Sequence, residues 1–315
     1  MTLHVGVHVS IGGGVDKAVD RAYNYGSTAF QIFTRNPRGW MYKPLKPDEV
    51  ALFREKVKRF GYDRYVVSHM PYLPNLSSPN DNIYQKSLDS LINELNRAGE
   101  LGIPYLVIHL GSHMGKGFEK GKERLLNAVS TALDKVDNDV MILLENMAGQ
   151  RNSMGSRFEE IQVLLDGLSS YSDRIGICFD TAHAFAAGYD LSTSKGVEYT
   201  FNEFREYIEF KWLKVVHLND SRYELASGRD VHEHIGLGYI GEKGFRLILR
   251  NKEIIERPLI LETPVDKKRG DLGNIMMIWY LAGVKPPSNI LKRWEEYLEK
   301  DPQDKEIYEN YILKM

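Results

Sequence analysis

An α/β fold, a (β/α)8 TIM barrel with a C-terminal helical extension, is predicted by three observations. Short apolar runs rich in β-branched residues alternate with longer stretches of helical period, the rhythm of a parallel sheet covered by helices. Eight such runs occur, whereas a doubly wound open sheet more often has about five or six strands and a glycine-rich first turn. Finally, six consecutive runs close on a histidine, aspartate or glutamate, and in a barrel the carboxyl ends of the strands converge on one face.

In chain order, strands are expected at His4–His8, Ala29–Phe33, Tyr65–His69, Tyr105–His109, Val140–Glu145, Gly176–Asp180, Lys214–Leu218 and Pro258–Glu262. The SIGGG stretch after the first reads as a tight turn into a helix rather than a phosphate loop. Lys46–Phe60 is a helix with Pro47 in its first turn and Gly61 at its stop, and Tyr84–Leu101 is another, closed by Gly102. Asp271–Gly283 supplies the last barrel helix, and the charged tail Ser288–Met315 adds one or two more. This divides the chain into a barrel domain, 1–285, and a helical extension, 286–315, packed on it.

With 315 residues, 43% hydrophobic and 27% charged, the composition is that of a globular chain with a sizeable core. The most apolar runs, Tyr105–Leu110 and Val140–Leu144, are strand-length and fall short of the ~20 residues that a membrane helix needs. The start, MTLHVGVHVS, lacks the basic stretch and long apolar core of a secretory signal. Together with a single cysteine, Cys178, this leads us to expect a cytoplasmic protein. The chain is expected to act as a monomer. Cys178 shares a strand face with Asp180, so its sulfur should pack one layer deeper and not ligate. The net charge of −2 gives no general nucleic-acid signal.

The chemistry lies in His69, His109, Glu145, Asp180, His217 and Glu262 at the strand ends, with His183, Asp230 and His232 in loops on the same face. Imidazole and carboxylate donors are those expected for zinc or manganese. Four carboxylates gathered without cations would repel one another, so the cluster implies bound metal. Nine donors exceed the needs of one four-coordinate ion and point to two or three. His8 should face the same site, whereas His4, His113 and His234 read as structural. Arg35, Arg38, Lys116, Arg151, Arg157, Arg222 and Arg229 are candidates for contacts to a phosphate backbone.

The segments GVHVSIGGG, FTRNPRGW, SHMPYLPNL, VIHLGSH, LLENMAGQ, CFDTAHAFAAGYD, VVHLNDS and LILETP occur in the order found in endonuclease IV, the abasic-site nuclease family, which the chain resembles up to about Pro264. That resemblance implies three zinc ions per chain, with manganese allowed in part. His69, His109 and Glu145 would hold one, Glu145, Asp180, His217 and Glu262 a second, and His183, Asp230 and His232 the third. It also implies double-stranded DNA containing abasic sites as the partner, with Arg38 and Tyr72 in loops entering the DNA at the lesion. The chain departs from the family pattern at Val231, where a basic residue usually follows the aspartate. The expected reaction is hydrolysis on the 5′ side of the abasic site by a metal-activated hydroxide, leaving a 3′-hydroxyl and a 5′-deoxyribose phosphate, with Glu145 and Glu262 as the catalytic carboxylates. If five of the ligands are histidines, the competing possibility, a metal-dependent sugar isomerase or epimerase on the same barrel, is disfavoured, because such an enzyme is expected to use fewer, oxygen-rich donors.

Overall fold

A computed structural model describes residues 3–315. Its principal sheet contains β1 (Val5–Val7), β2 (Phe30–Ile32), β3 (Val66–His69), β4 (Tyr105–His109), β5 (Met141–Glu145), β6 (Ile175–Asp180), β7 (Leu213–His217) and β10 (Leu259–Leu261). Between β7 and β10 lies a small antiparallel hairpin, β8 (Asp220–Ser221) and β9 (His232–Glu233), that the sequence did not announce. Neighbours run β1-β10-β7-β6-β5-β4-β3-β2, so each barrel strand lies beside its predecessor in the chain. The observed strands fall within a residue of the expected ends.

The ring closes between β1 and β2 through the bridge from His8 to Gln31. The Val9 and Thr28 amides donate to the Gln31 and Val5 carbonyls at 2.8 Å each. Closure is this tight only because residue 6 is glycine: a Cβ there would lie 1.7 Å from the Ala29 carbonyl oxygen.

The helices are α1 (Val15–Asn24), α2 (Pro47–Phe60), α3 (Asp81–Leu101), α4 (Phe118–Lys135), α5 (Phe158–Gly167), α6 (Thr181–Ala187), α7 (Ser194–Tyr207), α8 (Gly241–Ile248), α9 (Lys252–Ile255), α10 (Asp271–Ala282) and α11 (Ser288–Leu298). Helix α2 starts at Pro47 and stops at Gly61, whose φ of 75° is the left-handed conformation glycine favours. Helix α3 begins at Asp81, ahead of the expected Tyr84, because the Asn80 side chain accepts from the Ile83 amide at 3.1 Å and caps the extra turn. Beyond α11 the chain makes only short helical turns. Trp294 of α11 is buried edge-on against Trp279 of α10 and donates to the Tyr25 carbonyl. The tail also returns Asp304 to the start of α10, where it accepts from the Gly270 and Gly273 amides. Among the described residues no helix is long and apolar enough to cross a membrane.

Inside the barrel, side chains stack in layers as strand alternation requires. Tyr65, Tyr105 and Met141 lie towards the amino end. Ala29, Val67, Val107, Leu143, Cys178, Val215 and Ile260 fill the middle, so Cys178 packs as an apolar side chain. Burial pushes its thiol up to about 12. Two residues further along each strand stand Gln31, His69, His109, Glu145, Asp180, His217 and Glu262. These polar side chains form the carboxyl-end layer.

Candidate metal centre

Glu145, at the end of β5, lies at the middle of this layer and is fully buried. Its Oε2 is 3.1 Å from His69 Nε2 and 3.2 Å from His109 Nε2, while its Oε1 is 2.9 Å from His217 Nδ1. Glu262, just after β10, turns Oε2 to His217 Nδ1 at 3.4 Å. Asp180 closes β6 and caps α6, its Oδ1 accepting from the His183 amide at 2.8 Å. That cap places His183 one turn into the helix and over the site.

His183 Nε2 is 3.0 Å from Asp230 Oδ1, which is 3.5 Å from His232 Nε2. The hairpin of β8 and β9 delivers this pair. Its base is tied by Asp220, whose buried carboxylate accepts from the amides of Ser221, Gly236, Gly238, Ile240 and Gly241. Three overlapping groups therefore have ligand atoms within 4.8 Å of one another: His69, Glu145 and His217; Asp180, His183 and His232; and Glu145, Asp180, His217 and Glu262.

The imidazoles are oriented from behind. His69, His183 and His232 each place Nδ1 within 2.7–3.0 Å of a backbone carbonyl, of Met70, Asn146 and Glu262 respectively, so Nδ1–H donates and Nε2 faces inward. His217 is turned the other way, with Nε2–H on the Gln31 side-chain oxygen at 2.9 Å and Nδ1 inward. One nitrogen held by an oxygen, with the other aimed at a shared centre, is the usual environment of a metal-ligating histidine. His232 Nε2 is buried with no hydrogen-bond partner. A donor set of buried carboxylates and such imidazoles fits divalent metal.

Charge coupling inside the cluster is strong. Burial works to raise Glu145, but His217 and His109 hold it well below the usual carboxylate range. Glu262 is held low in the same way against burial, chiefly by His217. Burial also works to lower His183 and His217, yet the surrounding carboxylates hold both well above the usual imidazole value. Glu145 and Glu262 on one side and His183 and His217 on the other thus favour each other's charged forms.

Above the cluster is a cavity of about 290 Å³ lined by His8, His109, Asp230, Glu262 and Tyr72, among others. Tyr72 is 65% exposed, its ring 5.1 Å from Phe33, which packs in turn on His8 and His69. Arg38 is exposed in the loop between β2 and α2 and lines the neighbouring groove with His8 and Phe33.

A sequence profile described as "Xylose isomerase-like TIM barrel" matches residues 19–282. A protein of Methanoculleus marisnigri named "Probable endonuclease 4" is 52% identical over 280 residues, covering 89% of this chain and 99% of the relative. The chain belongs to the endonuclease IV family. The crystal structure of endonuclease IV from Thermus thermophilus superposes with a TM-score of 0.75 at 34% identity, covering 94% of this chain and 99% of that one. A 3-keto-D-glucoside 4-epimerase from E. coli reaches a TM-score of 0.63 at 10% identity, covering 90% and 100%, a likeness of fold alone.

Within this endonuclease IV frame, His8 is at the site, while His4 stacks on Tyr65 at the opposite end of the barrel. His234 is tied to Asp266 and Asn274, and His113 accepts from the Gly115 and Gly117 amides. Among the arginines, Arg35 is corrected. It is buried, not offered to solvent, with Nε 2.7 Å from Glu94 Oε1 and Nη2 2.8 Å from Ser90. Arg222 pairs with Glu233, and Arg229 lies over the Tyr223 ring. At the departure noted above, the Val231 carbonyl accepts from the Arg222 amide, a hairpin role that any residue can fill.

Sequence reasoning missed the supporting amides. Asn146 exchanges hydrogen bonds with the Asp180 backbone, and Asn219 donates to Asp180 Oδ2 while accepting from the Glu262 amide. Gln31 was missed too. Its signal was present: an amide side chain in the apolar run FQIF, at the inward position.

Proposed function

We propose that the chain is a DNA repair endonuclease that hydrolyses the phosphodiester bond 5′ to abasic sites in duplex DNA, at a centre of three zinc ions, leaving a 3′-hydroxyl and a 5′-deoxyribose phosphate. Family membership makes it a deoxyribonuclease. The observation that carries the finer reading is the way Glu145 divides its two oxygens between separate imidazole sets, His69 with His109 and, opposite, His217. A carboxylate so placed suits two neighbouring ions. His69, His109 and Glu145 would hold the first ion; Glu145, Asp180, His217 and Glu262 the second; and His183, Asp230 and His232 the third. Manganese is accepted by the same oxygen and imidazole donors in part of the centre.

When bound, the ions supply positive charge to the phosphoryl oxygens and lower the pKa of water at the site. The protein supplies the rest. Glu262, held below the usual carboxylate range mainly by His217, lines the cavity and could take the proton of an attacking water. Its carboxylate accepts a hydrogen bond from Gln31 Nε2 at 2.7 Å. The cavity's volume is at the lower limit of ordinary ligand pockets, roughly 300–1,000 Å³, and suits an extruded sugar phosphate without its base. An abasic nucleotide lacks stacking and is the easier one to extrude. Tyr72 and Arg38, at the rim, would enter the gap in the duplex. In this reading the chain works as a monomer in the cytoplasm, its one cysteine buried within the barrel.

The deciding experiment is incision of a duplex oligonucleotide carrying one tetrahydrofuran abasic analogue, with and without prior chelation. Chelator-sensitive cleavage immediately 5′ to the analogue supports the proposal. An intact strand, with interconversion of a sugar by the same metal-replete protein, transfers the barrel to the isomerase reading.

A further inference from the structure

Gln31 is completely buried and its side chain makes three hydrogen bonds inside the carboxyl-end layer. Its Nε2 lies 2.7 Å from Glu262 Oε1 and 3.0 Å from His8 Nδ1, and its Oε1 lies 2.9 Å from His217 Nε2. A carboxamide offers two N–H donors and one carbonyl oxygen. Only one assignment satisfies all three partners. The NH2 group donates to the Glu262 carboxylate and to His8 Nδ1, and the oxygen accepts Nε2–H of His217. His8 then carries its proton on Nε2, and His217 presents Nδ1 to Glu145, Asp180 and Glu262, at 2.9, 3.8 and 3.4 Å.

The geometry points to Gln31 as the positioning residue of the central metal-ligand set: it locks the His217 ring with Nδ1 inward and aims the Glu262 carboxylate. Its place in the barrel explains why this task falls to it. Among the described residues, the β1–β2 seam is the junction where a bridge, His8 with Gln31, replaces a ladder, so the Gln31 side chain spans the closure of the barrel to reach partners on β7 and after β10. His217 differs from His69, His183 and His232, whose outer nitrogens lean on backbone carbonyls. A backbone acceptor survives any substitution. The acceptor of His217 is a side chain and can be removed by one.

The part of this inference that concerns metal rests on the metal-centre reading above. Outer partners of ligating histidines typically change metal affinity by about 10- to 100-fold when removed. Gln31→Met preserves length and volume but removes both donors and the acceptor. Gln31→Glu keeps an acceptor for His217 and replaces the donors. The full-length chain, labelled with 15N-histidine and stripped of metal, is expected to show, beside the shielded Nδ1–H protons of His69 and His183 on backbone carbonyls, a shielded His217 Nε2–H. That signal is lost in Gln31→Met and kept in Gln31→Glu. Zinc affinity, read by competition with a chromophoric chelator, should fall about 10- to 100-fold in Gln31→Met. A Gln31→Met chain that keeps both the shielded proton and wild-type zinc affinity overturns the proposal. If Gln31→Met does not fold, loss of the shielded proton in Gln31→Glu overturns it instead. A wild-type chain that takes up no zinc sinks the metal-centre reading, whereas the shielded proton, measured without metal, still reports on Gln31.

Discussion

Arg35 Nε lies 2.7 Å from Glu94 Oε1, with both side chains sealed from solvent. Glu94 Oε2 accepts from the Thr34 hydroxyl, and Arg97, also buried, reaches the Thr34 and Lys43 carbonyls. The loop that carries Arg38 is therefore fastened to α3 by ionic hydrogen bonds at both of its ends. Removing one partner of a buried ion pair leaves an uncompensated charge at a cost of about 3–5 kcal/mol. Glu94→Ala is expected to lose stability on that scale in denaturant unfolding and to raise KM for abasic duplex, because Arg38 is no longer held.

Metal uptake should release protons. Asp180, Asp230 and Glu145 act against burial to hold His183 above its ordinary value, as Glu262 and Glu145 do for His217, and a metal ion needs the deprotonated ring. Both folded-state values lie above the unfolded value of 6.5. In the metal-free chain their stabilising contribution is full below that value and is lost as pH rises through the raised folded values. Glu145 and Glu262 act oppositely, their contribution being lost as pH falls through the depressed values. Metal-free protein is thus expected to lose stability on both the acid and the alkaline side, while zinc affinity climbs as pH rises towards the raised values of His183 and His217. Thermal unfolding with and without chelator across pH, and calorimetry in buffers of differing protonation enthalpy, test both. A zinc affinity independent of pH would count against ligation by these rings.

Asp220→Asn should loosen the hairpin that delivers Asp230 and His232. Both carboxylate oxygens accept backbone amides, so the Asn NH2 group must face N–H donors, whichever way it is turned. Buried donors left unsatisfied cost about 1–3 kcal/mol. The measurable outcome is faster amide exchange across 230–241 and weaker retention of one ion, with the remaining metal unaffected.

Tyr72→Ala and Arg38→Ala are expected to leave metal content unchanged, since neither side chain is among the proposed ligands. Tyr72→Ala should weaken binding of abasic duplex by roughly 1–3 kcal/mol, the usual range for an aromatic that stacks on a base. Arg38→Ala should reduce the salt dependence of binding by about one phosphate contact. Fluorescence anisotropy over a series of salt concentrations separates the two.

The tail contributes a cap. Asp304→Ala removes the acceptor for the Gly270 and Gly273 amides at the start of α10, a loss of about 0.5–2 kcal/mol for a capping residue. Thermal unfolding should show it, and incision at saturating substrate should not change.

By itself the sequence determined the eight strands and the identity of the carboxyl-end layer. Alternation along a strand is a local steric property, so an apolar run closing on His69, His109, Glu145, Asp180, His217 or Glu262 already states which side chain stands above the core. The same alternation marks Gln31, although a lone amide in FQIF names no partner. Tertiary structure decided everything that depends on closure. Gln31 and Glu262 meet across 231 positions of sequence, and the passage that brings β1 against β2 exists only because Gly6 leaves room for the Ala29 carbonyl. Arg35 shows the same limit in reverse: its charge suggested a solvent-facing phosphate contact, and only the fold reveals Glu94 waiting 59 residues away to bury it. Local chemistry sets the kind of residue at each place, whereas long-range packing sets which of them touch, because the free energy of such contacts depends on chain segments that no local pattern records.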